Sequence, residues 1–136
     1  MSWEDFLRAL GGDESNGSSA KQHVDRGMDY LREKQYNLAL QEFNNAIQLD
    51  PTHARAYYCR GLAHLEMRSY SQAENDFNVA SRLEPRYAAP LAALAELHLR
   101  KARETLIQAN YLCEVNPEIH PQYLVNEIRR RITDLQ

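Results

Sequence analysis

Two segments of this chain are copies of each other. Residues 20–51 recur at residues 54–85 with an offset of 34, and 11 of the 32 aligned positions are identical. Average composition would give roughly two matches. This repetition predicts a stack of similar units, each of which needs its neighbour to bury its apolar face. The identical pairs are Ala20/Ala54, Arg26/Arg60, Gly27/Gly61, Leu31/Leu65, Tyr36/Tyr70, Ala39/Ala73, Phe43/Phe77, Asn44/Asn78, Ala46/Ala80, Leu49/Leu83 and Pro51/Pro85.

Each copy has the apolar spacing of two consecutive helices. Its apolar residues step by three, four or five positions, with a short break before Tyr36 in the first copy. Gly27 and Gly61 lie inside this pattern, although glycine is about 1 kcal/mol less favourable than alanine in a helix. Their recurrence therefore predicts the close approach of a neighbouring helix, while Pro51 and Pro85 end the units. The predicted helices are 20–33, 36–49, 54–67 and 70–83.

The period of 34 residues, together with the residue types that recur, resembles the tetratricopeptide repeat. The resemblance covers residues 20–85, about half of the chain. It implies an all-α fold, a right-handed superhelix of stacked antiparallel helix pairs called an α-solenoid. The residues that carry it are Gly27, Tyr30, Tyr36, Ala39, Phe43, Ala46 and Pro51, then Gly61, Tyr70, Ala73, Phe77, Ala80 and Pro85.

The repeat pattern weakens after Pro85. The span from Pro85 to Pro117 matches two repeat helices, which favours a divergent third repeat that turns near Arg100. The apolar residues of this span also keep an unbroken three-and-four spacing, so 88–115 is alternatively one long helix. The predicted domain spans 20–136, with repeats at 20–53, 54–87 and 88–118 and a capping helix at 122–134.

The start of the chain differs from the repeats. Residues 1–10 have the apolar spacing of a short amphipathic helix, and residues 11–19 have the composition of a flexible linker. The apolar residues could cover the edge of the first repeat, bind a partner, or occupy the groove of the domain itself. We call these residues the N-terminal stripe: Trp3, Phe6, Leu7 and Leu10.

Composition argues against several classes of protein. The net charge of −3 lacks the basic excess typical of nucleic-acid binding. No apolar run approaches the length of a membrane span. The two cysteines, Cys59 and Cys113, have no metal-like spacing, and we expect a reduced, cytoplasmic setting.

Catalytic motifs are also missing from the sequence. The five histidines show no metal-binding spacing, and no serine, histidine and aspartate set has a motif context. We therefore expect no enzymatic activity, no cofactor and no metal. His64 takes the position of Tyr30 in the preceding copy, which favours a structural histidine packed between helices, and Cys59 is interpreted as a small apolar filler.

A binding surface is the alternative to a catalytic site. In stacked helix pairs, the first helix of each pair lines the inner wall, where residues not needed for stacking are free to contact a ligand. The resemblance places exposed inner positions at Lys21, Val24, Asp25, Met28, Arg32, Arg55, Tyr58, Cys59, Leu62 and Glu66, with a third set that includes Ala92 and Glu96.

One branch of the resembled family grips the C-terminal carboxylates of chaperones. In that branch, lysine and asparagine project from the first helix and basic residues from the third repeat. Val24 and Met28 replace the former here, and Ala89 and Ala93 replace the latter. The resemblance thus implies no carboxylate clamp, and apolar anchors from an amphipathic helix or extended peptide fit this wall better.

We therefore predict a protein-interaction module, an adaptor or co-chaperone-like protein that holds a peptide or helix of another protein. The alternative is an assembly element that oligomerises through the N-terminal stripe or the end of the stack. A helical-repeat binder of single-stranded RNA is a third hypothesis. Asp25, Glu66 and Glu96 argue against it, because such proteins present a basic wall.

Overall fold

The computed structural model describes residues 14–115 and 122–134, and this part of the chain is entirely helical outside its turns. The N-terminal stripe lies outside the described residues. The chain divides into two compact units, Met1–Leu94 and Ala95–Gln136. The helices are α1 (Glu14–Arg32), α2 (Tyr36–Leu49), α3 (Ala54–Glu66), α4 (Tyr70–Leu83), α5 (Ala89–Val115) and α6 (Gln122–Asp134).

Three of the four repeat helices begin at the predicted residue, whereas α1 begins six residues earlier, at Glu14. Residues 14–19 are therefore helical, and the prediction of a linker at these residues is wrong. Glycine and serine in this stretch suggest a linker, but extending a helix that is already packed is easier than starting one.

The two repeated glycines lie under the two repeated phenylalanines. A Cβ atom on Gly27 would be 2.5 Å from Cε1 of Phe43, and a Cβ atom on Gly61 would be 2.6 Å from Cε1 of Phe77. Each phenyl ring is fully buried. The predicted reason for these glycines, the close approach of a neighbouring helix, is thus confirmed in both repeats.

The turns inside the two helix pairs are also copies of each other. Lys34 and Arg68 have a φ of 59°, in the left-handed region. In each turn the following residue donates a backbone hydrogen bond of 2.8 Å across the helix end, from Gln35 to Tyr30 and from Ser69 to His64. These bonds satisfy carbonyl groups that the end of a helix would otherwise leave unpaired.

The first unit is a stack that curves toward the first helix of each pair. Within each pair the two helices pack together, and α2 packs against α3 of the next pair. Helices α1 and α3 also contact each other, whereas α2 and α4, both fully described, do not. The first helices therefore line the inner side of the curve. The core cluster between α1, α2 and α3 is built mainly from alanines, with Phe43 and Val24 as its largest members.

Residues 89–115 form one continuous helix of 27 residues. Of the two alternatives, the long helix is observed, and the prediction of a turn near Arg100 is wrong. The span 88–118 therefore has no helix pair of its own within the described residues. The physical reason is that neither glycine nor proline interrupts the sequence between Leu91 and Val115. Among the described helices, none has the combination of length and hydropathy needed to cross a bilayer.

Candidate functional site

An ion pair joins the two inner helices at the centre of the predicted wall. Nη1 of Arg55, on α3, lies 3.9 Å from Oδ1 of Asp25, on α1. Both side chains are about half exposed, at 51% and 53%. The ion pair with Asp25 orients the Arg55 side chain while its charge stays accessible to a ligand.

An aromatic group lies beside this ion pair. The ring of Tyr58 lies 6.0 Å from the buried ring of Phe77 and 5.4 Å from the ring of Tyr87, edge to face. Burial raises the pKa of Tyr87 to about 12 and raises the pKa of Tyr58 as well. Both phenols are therefore neutral at physiological pH and keep their O–H donors, beside apolar ring surface that a ligand can contact.

Tyr87 is a site residue that the sequence prediction missed. It lies in the turn between α4 and α5, outside the first-helix positions that the resemblance indicates. Its place two residues after Pro85 is the signal that could have found it. A turn that ends one repeat places the residues that follow it at the edge of the inner face.

Two predicted binding residues belong to the core instead. Val24 is fully buried and Cys59 is 1% exposed, and both contribute to the cluster between the helices. Their prediction as exposed inner positions is corrected. The reason is that both side chains pack into the cluster between the closely spaced helices, which leaves no gap for solvent. Burial raises the pKa of the Cys59 thiol to about 11, which suits the predicted role of apolar filler.

The other predicted positions differ in exposure. Met28 and Leu62 are half-buried, so they offer apolar surface at the base of the wall. Arg32 is exposed and pairs with Asp29 at 2.7 Å on its own helix. Glu96 belongs to the second unit, where it pairs with Arg100 at 2.8 Å. The remaining exposed positions are Lys21, Glu66 and Ala92.

A buried ion pair holds the second inner helix in position. Arg60 donates two hydrogen bonds to the carboxylate of Asp76, at 2.9 and 2.7 Å, so α3 is fixed to α4. Its remaining amino group donates to Oδ1 of Asn44 at 2.9 Å, which ties α3 to the preceding pair. Asp76 is only 3% exposed, so this bidentate pair sets the geometry behind the wall.

The first repeat contains a looser version of the same pair. Nε of Arg26 lies 3.6 Å from Oε2 of Glu42, the residue that corresponds to Asp76. His23 lies closer to the same carboxylate, with Nδ1 at 2.7 Å. The sequence signal was present, because each repeated arginine is followed sixteen residues later by an acidic residue.

His64 faces this buried pair from the same helix as Arg60. Its Nε2 atom lies 3.9 Å from Oδ2 of Asp76. Burial lowers the pKa of His64, and the nearby Asp76 carboxylate opposes that shift only in part. The predicted structural role is consistent with this placement between helices. In the described ranges there is no group of three or more side chains that could hold a metal.

Comparison with known proteins identifies the type of fold. Residues 27–67 match the family model described as TPR repeat. The TPR domain of Arabidopsis OM64 is similar with a TM-score of 0.61 and 20% identity, over 89% of this chain and 99% of that one. The TPR2B domain of yeast Sti1, in complex with pHsp70, has a TM-score of 0.62 and 18% identity, over 88% and 99%.

The second TPR domain of human RPAP3, in complex with an HSP70 peptide, is also similar. Its TM-score is 0.57 at 27% identity, over 70% of this chain and 77% of that domain. No curated protein matches the sequence. Together, the family match and the solved structures confirm the predicted all-α helical-repeat solenoid.

Proposed function

We propose, from the assignment of this chain to the tetratricopeptide-repeat family, that the face formed by α1 and α3 binds a segment of a partner protein. Repeats of this family are protein-interaction modules and not enzymes. The observation that supports this face is the accessible Arg55–Asp25 pair beside the aromatic surface of Tyr58 and Tyr87. It lies on the inner side of the first unit, where a segment could contact both helices at once.

The chemistry of the face favours a ligand with apolar anchors. Met28, Leu62 and Tyr58 offer half-buried apolar surface, and one accessible cation and one accessible anion lie next to it. An amphipathic helix or an extended peptide with apolar side chains and a flanking carboxylate would match this pattern. The carboxylate would pair with Arg55, and its competition with Asp25 would set the specificity.

We propose further that this face has no carboxylate clamp. Val24 and Met28 are uncharged, and the first is fully buried. Ala89 and Ala93 offer no positive charge either. The RPAP3 and Sti1 domains are in complex with an HSP70 peptide and pHsp70, which supports a role as adaptor or co-chaperone-like module. The ligand proposed for this chain differs in being held mainly by apolar contacts.

Peptide selection followed by affinity measurement tests this proposal. A random peptide library is selected on the full chain, and the best peptide is titrated by calorimetry against wild type and two variants. Arg55→Ala should weaken binding about tenfold or more, because a charged contact at the centre of an interface is removed. Arg82→Ala is the matched control, since Arg82 is exposed on α4, away from the inner helices. Equal affinity of both variants would contradict the proposal.

A cytoplasmic location remains a proposal. Cys59 and Cys113 are both free and buried thiols, and free thiols are typical of a reducing compartment. That the chain does not bind nucleic acid likewise stays a prediction. Its support is that Asp25 and Glu66, which are acidic, are exposed on the inner helices, whereas nucleic-acid binding requires a basic surface.

A further inference from the structure

The second unit has a groove between its own two helices. Within residues 95–136, α5 and α6 border a cavity of about 500 Å³ whose apolar lining is Leu106, Ile107 and Ile132. A smaller cavity of about 140 Å³ continues it along α5 and also includes Ile132. We call the two together the α5–α6 groove. Ile107 is 59% exposed, so part of the groove is apolar surface in contact with water, which is typical of a docking site.

Two arginines line this groove without a counter-charge. Arg103 on α5 and Arg129 on α6 both border the larger cavity, whose described lining includes no carboxylate. Both side chains are exposed, and within the described ranges neither forms an ion pair. Their neighbours on α6 differ, because Arg130 and Arg131 both pair with Glu127. The groove therefore has positive charge on each of its two helices, which complements an acidic ligand.

A buried polar atom in the same groove points to a ligand with a hydrogen-bond donor. Oδ1 of Asn110, a residue that lines the larger cavity, is buried and accepts no hydrogen bond from the described residues. A buried acceptor is unfavourable unless a donor reaches it. A ligand that carries one side-chain N–H or O–H group among its apolar groups would provide that donor.

The shape of the groove favours a helical ligand. Residues 96–110 of α5 border the two cavities and span about 21 Å, or four helical turns. The lining side chains of α5 recur at the spacing of one helix face: Leu99, Arg103, Leu106 and Asn110. Such a row packs against another helix, whereas an extended peptide usually adds to the edge of a sheet. We propose that the α5–α6 groove binds an amphipathic helix of a partner protein, with acidic residues beside its apolar stripe.

The first unit has a cavity of similar size but of different chemistry. It has a volume of about 440 Å³ and lies beside Leu38 and Met67. The rest of its described lining is residues 34–37, where Lys34 is the one charged side chain. This lining also contributes no buried polar atom that lacks a partner. The cavity thus provides a matched control, because it has exposed apolar residues without a facing pair of arginines.

A lipid surface suits the groove less well than a helix does. Residues 95–136 contain six acidic and six basic residues, so this unit has no net positive charge to attract anionic lipids. The two arginines also lie beside a concave space and not on a flat face. A helix of another protein fills such a space and brings its charges to both arginines.

Two designed helical peptides of about four turns test the charge of the ligand. Both carry the same stripe of leucines with one glutamine as donor, and they differ only in having glutamate or lysine beside the stripe. Each peptide is titrated with the full chain, and binding is followed by fluorescence anisotropy. The glutamate peptide should bind about tenfold or more tightly than the lysine peptide. Equal affinities, or tighter binding of the lysine peptide, would overturn the proposal.

Charge reversal in the groove keeps the test independent of folding defects. Arg129→Glu, at an exposed position, should weaken binding of the glutamate peptide about tenfold or more and strengthen binding of the lysine peptide. An unchanged preference would contradict the proposed contact. A misfolded variant would lose both peptides, so a gain for the lysine peptide has to come from the groove.

A matched pair of variants distinguishes the groove from the cavity of the first unit. Ile107→Glu should remove binding of the glutamate peptide, because it places a carboxylate on the apolar lining. Leu38→Glu makes a similar change at an exposed apolar residue beside the other cavity, and it should bind like wild type. Binding that is lost in Leu38→Glu and kept in Ile107→Glu would overturn the proposal.

Two further variants distinguish other places and other occupants. Arg55→Ala should leave this binding unchanged, since Arg55 belongs to the inner face of the first unit. A loss would place the peptide on that face, which overturns the second site and leaves the proposed function intact. Trp3→Ala combined with Phe6→Ala should also leave the affinity unchanged. A tenfold rise would show that the start of the chain itself occupies the groove, against the proposal.

A second copy and a membrane are tested with the same Ile107→Glu variant. Light scattering should give this variant and the wild type the same mass at every concentration. Cosedimentation with phosphatidylserine vesicles should likewise show no difference between them. A larger mass of the wild type, or vesicle binding that Ile107→Glu removes, would assign the groove to a second copy or to a lipid surface and overturn the proposal.

Discussion

The ring of Phe77 occupies the space that a side chain at Gly61 would need. Its Cε1 atom lies 2.6 Å from the position of a Cβ atom at residue 61, and Phe43 stands in the same relation to Gly27. Because glycine has no side chain, the second helix of each pair can pack closely against the first. Because the inner helices carry the proposed binding face, this contact also fixes the spacing of the residues on it.

Replacing Gly61 with alanine should destabilise the fold. The added Cβ atom would overlap the buried ring of Phe77, and overpacking of this kind typically costs about 1–3 kcal/mol. The gain in helix propensity, about 1 kcal/mol, offsets part of that loss. Urea unfolding followed by circular dichroism measures the net change in the free energy of unfolding.

Gly17→Ala is the matched control for this substitution. Gly17 also lies in a helix, but nothing approaches within 4 Å of the position of its Cβ atom. The same change should therefore raise the free energy of unfolding by up to about 1 kcal/mol. If both variants gained stability, the packing explanation of the repeated glycines would be wrong.

Asp76→Asn should be among the most destabilising single changes in the first unit. It removes the charge that Arg60 contacts through two hydrogen bonds at a site that is 4% exposed. Removing one partner of a buried ion pair typically costs about 3–5 kcal/mol, and the partial exposure of Arg60 places the expected loss near the lower end.

Asp29→Asn makes the same chemical change on the surface. Asp29 pairs with Arg32 at 2.7 Å, but both side chains are about 70% exposed. Such pairs contribute about 0–1 kcal/mol. Thermal unfolding of the two variants should thus show a large loss for Asp76→Asn and little change for Asp29→Asn. Equal losses would count against the buried network.

Protonation of His64 should destabilise the folded chain. Burial lowers its pKa in the folded state below the ordinary value of 6.5, so the unfolded chain binds the proton more readily. The contribution of His64 is therefore fully present above pH 6.5 and is lost as the pH falls through the lowered pKa. The variant His64→Tyr introduces the residue that the first repeat has at this position. As the pH falls from 7 to 5, this variant should lose less stability than the wild type does. Parallel pH profiles would contradict this expectation.

Cys59 should be unreactive in the folded chain. Its pKa is raised to about 11 by burial, and the thiolate is the reactive species. Labelling of Cys113→Ser with a thiol reagent at pH 8 should proceed only as fast as the chain opens, and should become rapid in urea. Fast labelling of the native chain would show that Cys59 lies on an accessible wall, as the sequence alone had predicted.

The repeated half of the fold was predictable from the sequence, because its signals are local. Glycine, proline and the apolar spacing each specify where a helix packs or ends, and both copies repeat them. The end of the repeats was harder. The apolar spacing of residues 88–115 is equally consistent with one long helix and with a helix pair. Only the absence of a helix-breaking residue near Arg100 distinguishes the two.

The candidate site was predictable in outline only. The first-helix positions were identified by the resemblance, but spacing alone does not show whether Val24 and Cys59 point toward solvent or into the core. Tyr87, in the turn after α4, and the Arg60–Asp76 pair depend on contacts between residues that are 16 or more positions apart in the sequence. The apolar spacing within a single helix does not specify such contacts.

The footprint of a bound peptide shows directly which helices contact it. The amide resonances of the full chain are followed by NMR while the selected peptide is added. If the inner helices form the binding face, shifts concentrate on α1, α3 and the turn with Tyr87, with Arg55 and Tyr58 among the largest. Shifts that concentrate on α2 and α4, with these residues unchanged, would contradict the claim that the inner helices form the binding face.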